Sequence, residues 1–234
     1  MKLLLTTCCS VLLAAIPAAA QTRFTGTITY TMSSGDGQSI NIVQSSKGPK
    51  LRVDQATAGG SRDGSGAGMT ASVIYDHDAR TLTILLHDQR VYIARPAPDA
   101  TAMTGPGDSA TFAATGKSKT VAGVTCTMYR IHTIRSGRPE DGDACMAKGV
   151  GVNPLDMESA TGSAANSPAM RAMQDFFARG YGMLEATALK GGTSSTALLV
   201  TSISRTPPSD DMFKPPTDYK PMAAGGILNG GAQK

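Results

Sequence analysis

Threonine occupies every second position from Thr25 to Thr31, and Phe24, Gly26, Ile28, Tyr30 and Met32 fill the positions between. In an extended chain successive side chains point to opposite faces, so this period of two describes a strand with one oily side and one wet side. A lone strand of that kind cannot bury its oily side. It demands a sheet, and something to cover the sheet.

Further strand patterns follow. Ile40 to Val43 and Lys50 to Asp54 read as a hairpin about Lys47-Gly48-Pro49. After a Gly- and Ser-rich loop from Ala58 to Gly68, the segments Met69 to Tyr75, Thr81 to Leu86 and Arg90 to Ala94 read as a meander. Their links, Asp76-His77-Asp78-Ala79 and His87-Asp88-Gln89, are short and polar, as antiparallel neighbours require. Pro96 to Ser109 reads as an exposed loop. Lys119 to Val121 and Thr125 to Ile134 are the next strands, joined at Ala122-Gly123, and Asp143 to Lys148 is a short one. Met183 to Leu189 and Ser195 to Ile203, about Gly191-Gly192, close the series.

A single helix is expected at about 168–179. Ser167 can cap it, Pro168 suits its first position, Gly180 stops it, and Met170, Met173 and Phe177 recur three and four residues apart. From Thr206 to Met222 five prolines deny the chain a place inside a sheet. That stretch should wrap the surface as a strap anchored by Phe213 and Tyr219, ahead of a disordered tail at 223–234.

The N-terminus carries Lys2, an apolar run from Leu3 to Ile16, and Pro17-Ala18-Ala19-Ala20 before Gln21. This is the pattern of a secretory signal peptide cleaved near Ala20/Gln21, too short to span a membrane. It places residues 21–222 in the periplasm or outside the cell as one domain, with no transmembrane segment. Of the four cysteines two, Cys8 and Cys9, leave with the leader. In an oxidising compartment the remaining Cys126 and Cys145 should form a disulfide, worth about 3 kcal/mol for so short a loop. The 41% hydrophobic content suits a globular core. The net charge of +4 comes from scattered residues, so no nucleic-acid surface is expected.

The chain resembles the bacterial periplasmic proteins grouped as unknown-function family 4412. The resemblance rests on Phe24-Thr25-Gly26-Thr27-Ile28, Lys50-Leu51-Arg52-Val53-Asp54, Ile74-Tyr75-Asp76, Val121-Ala122-Gly123 with Cys126 and Tyr129, Cys145-Met146-Ala147, and Phe213-Lys214-Pro215-Pro216 before Tyr219. That family looks like a relative of the LolA and LolB lipoprotein carriers. The resemblance implies a mainly β (α+β) fold: a curved antiparallel sheet or incomplete barrel, with one helix on its concave face and an apolar cavity for acyl chains.

No catalytic set is expected. Asp76-His77-Asp78 is the densest polar cluster, but its place in a hairpin link favours turn-making over metal or acid–base work. Gly107-Asp108-Ser109 lacks the strand-to-helix setting of a nucleophile motif. Gly116-Lys117-Ser118 lacks the glycine of a phosphate loop, because Thr111 stands in its place. Glu140, Asp141 and Asp143 read as a solvated acidic turn. Neither a cofactor nor a metal is expected.

The expected function is an exported, non-enzymatic protein holding a lipid or other apolar ligand. Phe24, Ile28, Tyr30, Arg52, Met170, Met173 and Phe177 are the candidate contacts, with Arg52 either on a polar sheet face or meeting an anionic headgroup. The alternative is a partner-binding envelope protein with a dry core. An envelope hydrolase using His77 or Ser109 ranks last.

Overall fold

The threonine-lined alternation forms β1 (Gly26–Ser33), and the same logic repeats along the chain. The computed structural model describes residues 24–33, 38–56, 71–97, 109–135, 138–153, 168–190 and 193–223. Outside them lie the expected leader, the Ala58 to Gly68 segment, most of the Pro96 to Ser109 segment, Ser167, Gly191-Gly192 and nearly all of the expected tail.

After β1 come β2 (Ser39–Lys47), β3 (Lys50–Ala56), β4 (Ala71–Asp76), β5 (Thr81–Leu86) and β6 (Val91–Pro96). The second half holds β7 (Ser109–Val121), β8 (Val124–Arg135), β9 (Arg138–Lys148), helix α1 (Pro168–Ala178), β10 (Tyr181–Lys190) and β11 (Thr193–Ser204). A 3-10 turn (Asp210–Phe213) and the two-residue β12 (Lys220–Pro221) end it. All twelve strands belong to one open, curved sheet in the order β12-β6-β5-β4-β3-β2-β1-β11-β10-β9-β8-β7. Two antiparallel meanders are thus zipped together where β1 meets β11, with Tyr30 opposite Val200. Among the described strands only β12, beside β6, runs parallel to its neighbour.

The junction needs Gly26. Its φ is +143°, and a Cβ there would stand 2.1 Å from the Ser204 carbonyl oxygen. Beyond β9 the chain folds back over β10, where Gly151 and Gly182 lie backbone to backbone: a Cβ on Gly182 would sit 2.6 Å from the Gly151 Cα. Val152 then bridges to Met183.

Helix α1 ends as expected. Gly180, at φ +84°, donates its N–H to the Phe177 carbonyl, a turn open to glycine at no steric cost. The helix packs on β7 and β10, on what is here called the inner face. Phe176 stacks on Phe112 and on Tyr181, with ring centroids 4.7 Å apart in both pairs, and Tyr129 meets it edge-on. One continuous core runs from Ile28, Tyr30 and Ile42 through Leu198 and Val200 to Met146, Phe176 and Phe177.

Two segments depart from expectation. β7 starts ten residues before Lys119, at Ser109. Its middle is small and polar, and a bulge between Ala114 and Ser118 breaks the alternation that marks a strand in sequence. Thr115, Gly116 and Lys117 make that bulge, and Ser118 resumes the pairing opposite Thr127. The second is the acidic stretch before Cys145, which is strand β9 and not a turn. Asp143 forms a cross-strand ion pair with Arg130 on β8, and Asp141 a cross-strand hydrogen bond with His132.

Candidate functional site

Register divides the candidate contacts between two faces. Ile28 lies opposite Gln44, and Gln44 opposite Val53, so Ile28, Tyr30, Ile42, Gln44, Leu51 and Val53 share the inner face. Arg52 alternates with Leu51 and Val53 and therefore points outward. The side chains of Met170 and Met173 lie outside the described residues, while Phe177 is buried beneath α1. Phe24 is half-buried at the start of β1, with the Arg205 guanidinium 5.9 Å from its ring centroid.

The inner face is apolar. Across β1 to β5 no described side chain on it is charged, since Lys47, Lys50, Arg52, Asp54 and Asp76 all alternate outward. Ile28, Tyr30, Ile42 and Leu82 are fully buried. Register also puts Ser46 and Gln55 on this face, but the deepest polar side chain is Gln44, 4% exposed, whose Oε1 has no hydrogen-bond partner among the described residues. At the α1 end, burial first and then a hydrogen bond to Tyr181 raise the Tyr129 phenol above its ordinary pKa.

The outer face carries a polar relay. Arg52 Nε donates to both carboxylate oxygens of Asp54, at 2.8 and 3.1 Å. Its Nη1 donates to the Met212 carbonyl at 2.9 Å, and its Nη2 to Ser72 Oγ at 3.3 Å. Ser72 Oγ donates to Asp54 Oδ1 and lies 2.6 Å from His87 Nε2. His87 Nδ1 is 2.7 Å from the Tyr219 hydroxyl. A serine has one proton, and an ionised carboxylate only accepts. With that proton on the Asp54 side, His87 Nε2 must be the donor to Ser72.

This order differs from a nucleophilic triad, in which the serine gives its proton to the histidine and the carboxylate holds the far ring nitrogen. Here the carboxylate holds the serine and a phenol holds the histidine. Ser72 is also 1% exposed and lies under the strap. The relay fastens the strap to β3, β4 and the β5–β6 turn. Beside it Phe213 packs on Ile74 and Leu85, with Tyr92, Met212 and Tyr219 around them.

The remaining polar candidates stand apart. Asp76 Oδ1 accepts from the N–H groups of Asp78 and Ala79, so it builds the β4–β5 turn. His77 meets the Tyr75 ring edge-on, at the opposite end of β5 from His87. His132 sits on β8, and Ser109 opens β7 opposite Ile134. Cys126 and Cys145 are joined, tying β8 to β9 with Cα atoms 5.4 Å apart.

A family model described as a domain of unknown function (DUF4412) matches residues 24–219. The chain belongs to that family. The matched span runs from Phe24, at the mouth of β1, to Tyr219, the last member of the relay. No curated protein matches. Among solved structures, "Structure of PNGF-II in C2 space group" is similar to 86% of this chain and 31% of that one, at 11% identity and a TM-score of 0.42. This chain thus spans about a third of that protein's length.

Sequence reading missed the relay and Gln44. The relay joins residues 52, 54, 72, 87 and 219, which only the strand register brings together. Gln44 left a trace: after Ile40 and Ile42 the alternation calls for an apolar residue, and a carboxamide stands there.

Proposed function

We propose that this chain is an exported, non-catalytic binding protein that holds an apolar or amphipathic ligand between its inner sheet face and α1. One observation carries the reading: an uncharged apolar face running across β1 to β5 and meeting, in one core, the aromatic cluster under α1. Helix α1 rests mainly on β7 and β10, at one end of that face. A helix seated through rings at one end can lift without breaking the β1–β11 seam. The joined Cys126 and Cys145 suit an oxidising compartment, in keeping with a leader that directs export. Among the described residues no helix is long and apolar enough to cross a membrane.

A second reading is favoured by the full burial of Ile28, Tyr30 and Ile42. The same face then packs dry, and the strap and outer loops make contacts with an envelope partner. Organic extraction of the purified mature chain, followed by lipid mass spectrometry, separates the two. Acyl or isoprenoid lipid at a molar ratio near one supports the carrier reading. A lipid-free chain that also takes up no added lipid contradicts it.

A further inference from the structure

Gln44 lies mid-strand on β2, between Ile28 on β1 and Val53 on β3. It is 4% exposed, and its Oε1 accepts no hydrogen bond. Leaving a buried amide oxygen unpaired costs about 1–3 kcal/mol, whereas an apolar side chain of the same length would carry no such cost. Packing therefore does not account for a glutamine here. An acceptor is held ready in the interior, and among the described residues no group donates to it.

We infer that Gln44 is the polar contact of an inner-face ligand site, and that the ligand is a neutral amphiphile bearing a hydroxyl or amide N–H. The inference rests on the carrier reading above and names its ligand class. An acceptor oxygen selects a donor. An ionised carboxylate or phosphate offers none, and it would meet no cation on the inner face of β1 to β5. Its charge would be desolvated without compensation. A hydroxyl or amide instead completes the hydrogen bond while its hydrocarbon lies along Ile28, Ile42 and Val53.

The test uses the mature full chain and N-phenylnaphthylamine, a neutral dye that brightens in apolar surroundings. Dodecanol, its methyl ether and dodecanoate are compared as competitors. Dodecanol should displace the dye at concentrations about tenfold lower than the ether, the usual worth of one buried hydrogen bond, and should also outcompete dodecanoate. In Gln44→Leu the alcohol should lose its advantage over the ether while the dye still binds. Equal competition by alcohol and ether overturns the role of Gln44, leaves the carrier reading standing, and assigns Oε1 to a trapped water. Stronger competition by dodecanoate overturns the neutral headgroup. Failure of the unaltered protein to bind dye overturns the carrier reading itself. The alcohol–ether comparison needs no variant, so a misfolded Gln44→Leu protein would not shield the inference.

Discussion

Lys47 Nζ lies 3.0 Å from Asp210 Oδ1, joining β2 to the 3-10 turn of the strap. That hydrogen bond, and then the lysine's charge, hold the Asp210 carboxyl below its ordinary pKa of 3.8. A depressed carboxyl contributes in full above the ordinary value and loses its contribution as pH falls through the lowered one. Strap docking at this point should therefore be constant from neutral pH down to about 4 and weaken only below it. A carboxyl NMR titration of Asp210 should give a midpoint under 3.8, and Lys47→Met should raise it toward the ordinary value, with the charges of Lys50 and Lys214 still lowering it. A normal midpoint in the unaltered protein would show that the pair does not form in solution. The same scale explains Arg52. Its place between Leu51 and Val53 fixes it on the outer face, and Asp54, Ser72 and the Met212 carbonyl occupy its donors there.

Among the elements, the strap is the one whose role the sequence announced and whose fastening it concealed. Five prolines keep it out of the sheet interior, and Phe213 and Tyr219 are its anchors as expected. The pocket that receives Phe213 comes from Ile74 on β4 and Leu85 on β5, and no local pattern reveals that pairing. Phe213→Ala should cost about 3 kcal/mol, the lower end for a buried ring, because the satellite cluster is small and open to collapse. Urea unfolding measures the loss. Hydrogen exchange should localise it to residues 205–222, with dye binding on the inner face unchanged. Uniform loosening of β1 and β2 would instead mean that strap and core unfold as one unit. Helix α1 was readable from Pro168 to Gly180 because caps, period and stop agree. β7 was readable only at its end, because an edge strand with a bulge needs no sustained alternation.

At the scale of the whole molecule, alternation in most strands foretold a mainly β chain, the capped apolar period foretold its one helix, and the family resemblance implied a curved sheet; the described residues form such a sheet. Strand order was beyond it. That β1 would pair with β11, making one sheet from two meanders, depends on contacts about 170 residues apart and on a glycine that lets Ser204 approach. The candidate site was legible in part. Ile28, Tyr30 and Phe177 do share one core, whereas Arg52 belongs to the other side of the sheet, where period two had to place it once Leu51 and Val53 faced inward. Gln44 was visible as a break in the pattern, yet a break acquires chemical meaning only when burial and missing partners are known.

The central claim concerns where an apolar molecule sits, and photolabelling measures that directly. A dodecyl diazirine bearing a hydroxyl, irradiated with the mature protein and mapped by peptide mass spectrometry, should mark β1, β2 and β3 at Ile28, Ile42 and Val53, together with α1 near Phe177. Labelling confined to the strap and outer strands, or no saturable labelling at all, would contradict the account.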